Sequence, residues 1–344
     1  MHELKPAILN KEGILKLVLK KISISTSVLM LIGLALILIA GFRPIGFDHD
    51  STGYVTLLNM PFEGAKNFIR LEPTFWLISY VQKILFSGYT QAFFVIYAVL
   101  GVSIKLSAIR RLSAYPIFSV IVYVALFFLL QEYTEIRVGV AAGIFLLAVP
   151  DIVERNRFRY FLKTGIAILF HYSAVITPFI YFLNPRKLNK LFYLSLPFLG
   201  MIFLVFNSLI VRVLVNHIKI FPEFLYAKLY IYINLVELNK VHVFNLYFTS
   251  LLILYVFIVF VHEKMTSKFD IILIKIFGWA LFSFYSLTFN AALAFRISGL
   301  LLVVLIVLIP NVAALFKQKV ITFSLTFMML SIYFVYISIA ILNW

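Results

Sequence analysis

The chain contains no cysteine, which excludes a disulfide, a thiolate-held metal and a cysteine nucleophile. Charge is scarce as well: 13% of the 344 residues are charged, against roughly 25% in a soluble domain. Acidic residues are scarcest, 14 against 30 Lys and Arg. Also missing are a phosphate-cradling Gly-rich loop ending in Gly-Lys and a His-Glu-x-x-His pair. Neither ATP chemistry nor a helix-borne zinc is therefore expected, and no cofactor or metal is assigned.

What fills the sequence instead is apolar: 63% of residues are hydrophobic and mean hydropathy is +1.04. Apolar runs occupy residues 22–40, 74–86, 89–109, 116–130, 138–150, 161–183, 191–206, 244–261, 271–289, 297–316 and 320–342. Many approach the ~20 residues that cross a bilayer as a helix. The expectation is an all-α polytopic membrane protein with about ten to twelve transmembrane helices. Residues 1–21 carry five Lys and an apolar stripe, and fit a cytoplasmic amphipathic segment on the membrane surface. Polar residues precede the first run and no small-residue cleavage site follows it, so a cleavable leader is not expected. Residues 22–344 form one membrane domain, with external loops at 41–73 and 207–243.

A net charge of +16 would suit nucleic acid, but the basic residues sit in short clusters between apolar runs, as in cytoplasmic loops. No nucleic-acid partner is expected. The clusters are Arg110/Arg111, Arg155/Arg157/Arg159/Lys163, Arg186/Lys187/Lys190, Lys264/Lys268 and Lys317/Lys319. All can lie on the cytoplasmic side, with the N-terminus, only if 74–86 does not cross and 161–183 breaks near His171 into two short helices that enter and leave together. Broken backbone at membrane depth is tolerated where it lines a polar cavity. The polar segments 41–73, 131–137, 207–243 and 290–296 then share the external face.

Several residues there are candidates for chemistry. Arg43, Asp48 and Asp50 follow the first apolar run directly, and Tyr54 and Glu72 come soon after. They can bind sugar or supply a base, or simply make a solvated loop with a helix cap at Asp50 or Ser51. Arg137 and Arg296 each open an apolar run from the external side. Either can snorkel, or grip a phosphate bidentately. His171 sits mid-run, where a polar group is costly unless it serves a purpose, and Ser173 can cap the half-helix after the break.

Taken in order, Arg43…Gly46…Asp48…Asp50…Tyr54, Glu72-Pro…Phe75-Trp76, Ile136-Arg137-x-Gly-x-Ala, Phe170-His171-x-Ser173-Ala174 and Ala-x-Arg296 resemble the EpsG family, Wzy-like polymerases of bacterial surface polysaccharide that include O-antigen polymerases. Val138 and Tyr172 depart from the family pattern. The resemblance implies the architecture of membrane glycan polymerases and ligases (GT-C-like) in the bacterial inner membrane. It also implies transfer of a growing glycan from undecaprenyl diphosphate to a lipid-linked repeat unit at the periplasmic face. On this reading Arg137 and Arg296 bind the diphosphate. Asp48, Asp50 or His171 accepts the proton. Arg43, Tyr54, Glu72 and Ser173 position sugar. A chain-length regulator and a flippase are the implied partners. A lipid-linked oligosaccharide flippase or transporter, or an O-antigen ligase, is the alternative.

Overall fold

The computed structural model describes residues 11–60, 71–206 and 241–341, and among these the chain is helical with no strand. Residues 1–10, most of loop 207–243 and residues 61–70 of loop 41–73 lie outside them. Helix α1 (Lys11–Gly41) runs without interruption through what the sequence divides into a surface segment and a first span. After α2 (Ser51–Asn59) and α3 (Pro73–Leu85) come α4 (Thr90–Leu112) and α5 (Pro116–Tyr123). Helix α5 continues as a π-helix over Val124–Thr134. There follow α6 (Ile136–Val153), α7 (Arg157–Phe170), a 3-10 turn (Tyr172–Ile176) and α8 (Thr177–Ile180). The remainder is α9 (Lys190–Val205), α10 (Leu246–Val261), α11 (Asp270–Ser286), α12 (Ala291–Leu302), α13 (Leu305–Ala313) and α14 (Lys319–Ile341).

Among the described residues, five helices are long and apolar enough to cross a membrane, or six if the 53° bend between α12 and α13 is one span; the shorter apolar stretches Thr26–Gly41 and Lys190–Phe203 accompany them. The protein is thus an all-α, multi-pass membrane protein. Its largest helix contacts join α4 to α6 and α1, α6 to α7, and α11 to α9 and α12.

Two elements bear on the expected departures from simple alternation. Helix α3 has 13 residues, which rise only ~20 Å against a hydrocarbon core of about 30 Å. Helix α7 stops where His171 adopts extended backbone (φ −155°, ψ 130°). The chain then returns to where α7 began: the Arg155 guanidinium donates to the carbonyls of Tyr181 and Leu183, and the Tyr160 ring packs on Tyr181. Residues 157–183 therefore form a hairpin with its tip at His171. Basic residues gather at this end of the bundle. Arg111 pairs with Glu154 and Asp151 there, Lys163 with Asp151, and Lys275 donates to the Asn184 carbonyl. Helix α1 begins at this end and finishes at the other.

A buried polar network holds the bundle interior. Lys105 Nζ lies 2.5 Å from Glu132 Oε1 with both side chains essentially sealed from solvent. Lys105 also donates to the Gly139 carbonyl, and the Tyr123 hydroxyl donates to the same carboxylate oxygen. Two glycines make room: a Cβ at Gly101 would strike the Glu132 carboxylate, and one at Gly139 the Gln131 carbonyl. An unpaired ion at this depth would be very costly. Segment 131–137, expected as a polar segment on the external face, is partly interior, because the π-helix carries Glu132 inward to Lys105.

Candidate functional site

At the end opposite the basic clusters, the first turn after α1 is built around Arg43. Its Nε reaches Asp48 Oδ2 at 3.1 Å. Nη1 donates to the carbonyls of Ala40 and Glu132, and Nη2 to that of Tyr133. The guanidinium also lies 4.2 Å over the Phe94 ring. Carbonyls 132 and 133 belong to the last turn of the π-helix, which lacks partners of its own and carries partial negative charge. Arg43 thus fastens the exit of α1 to the exit of the π-helix. Asp48 Oδ1 meanwhile accepts from the backbone N–H groups of Asp50 and Ser51. It is Asp48, and neither Asp50 nor Ser51, that caps the start of α2. Arg43 and Asp48 are consumed by the fold and turned away from the cleft beside them.

That cleft is lined by Asp50, Tyr54, Glu135, Arg137, Val138, His171 and Arg296. Four separate parts of the chain supply its polar groups: the start of α2, the junction of the π-helix and α6, the tip of the hairpin, and the first turns of α12. Segments 41–50, 131–137 and 290–296, dispersed in sequence, meet here.

Glu72, fully buried, lies at the back. It pairs with Arg137, faces His171 Nε2 at 3.7 Å, and accepts from the Tyr172 backbone N–H at 3.4 Å. Arg137 reaches the Tyr54 hydroxyl at 3.5 Å and lies over the rings of Tyr54 and Phe75. Its side chain is 14% exposed, so the guanidinium keeps a small accessible face on the cleft, whose volume is about 10 Å³. Arg296 Nε stands 3.7 Å from Glu135 Oε1. Glu135 was not singled out in the sequence. Its signal was its position two residues before Arg137, at a helix junction where backbone turns sharply (φ −92°, ψ 50°).

His171 caps its own 3-10 turn: Nδ1 accepts from the Ser173 backbone N–H at 3.1 Å and lies 2.7 Å from Ser173 Oγ. Ser173, expected to cap the half-helix, instead supports the histidine that does. Because Nδ1 is accepting, the neutral ring carries its proton on Nε2, and that N–H faces the Glu72 carboxylate. His171 is set up as a donor that steadies Glu72. Asp50 is different. It lines the cleft and stands apart from the Asp48 brace. Burial pushes its carboxyl above the ordinary range; Arg296 pulls it back, Asp48 adds to the rise, and Arg137 and His49 oppose it. A carboxylate that lines the cleft, is raised by burial and faces two guanidinium groups has the chemistry of a proton acceptor. Among the described residues no group of three His, Asp or Glu side chains is placed to hold a metal ion.

Neither curated proteins nor solved structures give a match. One family model does match, over residues 27–343. That range runs from within α1 to the end of α14 and takes in every residue of the cleft. The chain belongs to the EpsG family.

Proposed function

We propose that this chain is a polymerase of bacterial surface polysaccharide, O-antigen or exopolysaccharide, that moves a growing glycan from undecaprenyl diphosphate to a lipid-linked repeat unit. The observation that carries the reading is the meeting of Arg137 and Arg296, far apart in sequence, in one carboxylate-lined cleft at the end of the bundle away from the basic clusters. Basic clusters favour the cytoplasm, which supports a cytoplasmic N-terminus in the inner membrane and a cleft on the periplasmic side.

In the proposed step the acceptor hydroxyl oxygen attacks the anomeric carbon of the donor glycan, and the bond from that carbon to the diphosphate oxygen breaks. Asp50 takes the hydroxyl proton. The diphosphate departs on its lipid, its new charge stabilised by Arg137 and Arg296, whose forks suit phosphate oxygens. Glu72, steadied by His171 and Ser173, orients Arg137; Glu135 orients Arg296; Tyr54 walls the cleft. Arg43 and Asp48 brace the site without touching substrate. Within this reading the base is narrowed to Asp50, because Asp48 is spent on Arg43 and two backbone N–H groups, and the Nδ1 of His171 is spent on Ser173.

The test is the glycan ladder on a gel from cells carrying Asp50→Asn or Arg137→Ala, with membrane abundance measured alongside. A polymerase defect leaves a single repeat unit on the acceptor, whereas a flippase or ligase defect leaves none. A full ladder from both variants overturns the proposal.

A further inference from the structure

Away from the cleft, α1 and α4 enclose a membrane-facing groove lined by Thr26, Leu29, Gly33, Ile37, Leu106 and Arg110, among others, with a volume of about 310 Å³. Its floor is apolar: Leu29 is buried, and a Cβ on Gly33 would meet the Leu106 side chain at 2.5 Å. From Thr26 to Ile37 it follows α1 for ~16 Å at 1.5 Å per residue, roughly half the hydrocarbon thickness. Ser103 and Ser107 are exposed along its α4 rim.

The charge lies at one mouth only. Arg110 is exposed on the last turn of α4, at the basic end of the bundle. Its neighbour Arg111 reaches Glu154 and Asp151. The Arg110 guanidinium makes no hydrogen bond or ion pair with any described residue. A half-membrane apolar trough with a guanidinium at headgroup level matches one kind of molecule, a chain-bearing lipid with an anionic phosphate. Two sources share that chemistry, the glycerophospholipids of the leaflet and a polyprenyl phosphate. The position favours the first. The mouth is at the end opposite the cleft, and the depth is that of one leaflet, whereas a polyprenyl donor held at Arg137 would bring its phosphates to the other end.

We propose that the α1–α4 groove is a binding site for an anionic glycerophospholipid, with one acyl chain along Gly33 and its phosphate on Arg110. The site does not depend on the polymerase reading, and its test does not use activity. Purified full-length protein in detergent is offered phosphatidylglycerol, phosphatidylcholine or undecaprenyl phosphate, and retained lipid is counted by native mass spectrometry. Wild type should retain phosphatidylglycerol about fivefold over phosphatidylcholine, the selectivity that one basic residue supplies near a membrane surface. Arg110→Gln should erase that preference while Arg111→Gln keeps it. Ser103→Phe, which fills the trough from its exposed rim, should lose bound lipid of either kind without changing the melting temperature. Equal retention of the two phospholipids by wild type, or a preference that survives Arg110→Gln, overturns the proposal. So does retention of undecaprenyl phosphate in place of phosphatidylglycerol, which would assign the trough to a polyprenyl tail.

Discussion

Arg43 and Arg137 are the same residue type at the same end of the same bundle, and their surroundings give them different work. Around Arg43 three backbone carbonyls, a carboxylate and an aromatic face take up the whole guanidinium. Around Arg137 one carboxylate, a phenol and two aromatic rings hold the guanidinium, which keeps a small accessible face on the cleft. The aspartates repeat the contrast: Asp48 is tied to Arg43 and two N–H groups, while Asp50 looks into the cleft. A buried charge saturated by protein groups is a brace, and one left partly open at a cleft is available to a ligand.

The sharpest way to break this contrast is to change the two aspartates separately. Asp50→Asn should lower polymerisation per molecule by about 10²–10⁴-fold, the range for losing a general base, with normal membrane abundance. Asp48→Asn should show the reverse pattern, because it strands a buried guanidinium. A pH series on wild type adds a second reading. Burial raises the Asp50 carboxyl, so the active carboxylate is lost as pH falls through a value above the ordinary range. The acid limb of the rate should sit there and vanish in Asp50→Asn. Equal loss of rate per molecule in both Asn variants would dissolve the distinction.

The arginines come next. Arg137→Ala and Arg296→Ala should each cost about 10²–10³ in rate, by analogy with a lost oxyanion donor. Lys should rescue poorly, since an ammonium keeps charge and loses the fork. Arg43→Ala should instead deplete the protein from the membrane, at a stability cost of about 3–5 kcal/mol for breaking a buried pair. The ladder normalised to abundance separates the two outcomes. A normal ladder from both Arg137→Ala and Arg296→Ala would reduce them to snorkelling side chains.

These distinctions were only partly legible in the sequence. The all-α multi-pass fold followed from composition. The break at His171 and the short α3 followed from requiring all basic clusters on one side, since charge distribution constrains helix direction. The division of labour between Arg43 and Arg137 was not legible, because it depends on carbonyls 132 and 133 arriving from a π-helix about 90 residues away, and a π-helix leaves no periodic trace in sequence. The role of Glu135 is illegible in sequence for a related reason. Its partner Arg296 is remote in the chain, and beside Arg137 it reads as an ordinary polar residue at a helix start. The Lys105–Glu132 pair left a visible sign, a lysine deep inside an apolar run, whose partner only the structure supplies.

The smallest expected effect tests the outer edge of the site, where brace and ligand group meet. Ser173 touches no cleft group directly except through His171, whose Nδ1 it meets with both its N–H and its hydroxyl. Ser173→Ala removes the hydroxyl contact and keeps the backbone one, so the ring keeps its tautomer and Nε2–H still faces Glu72. One neutral hydrogen bond is worth about 0.5–1.5 kcal/mol, so the rate should fall about two- to tenfold with abundance unchanged. His171→Ala should cost more, because the cap of the 3-10 turn and the donor facing Glu72 go together. The pair His171→Gln and Ser173→Ala then decides how His171 acts. If it only orients Glu72, a glutamine that reaches the same carboxylate should restore part of the rate lost in His171→Ala, and the acid limb of the pH profile should stay with Asp50. If His171→Gln is as inactive as His171→Ala and the acid limb disappears with it, the ring itself carries the proton, and the assignment of the base to Asp50 falls.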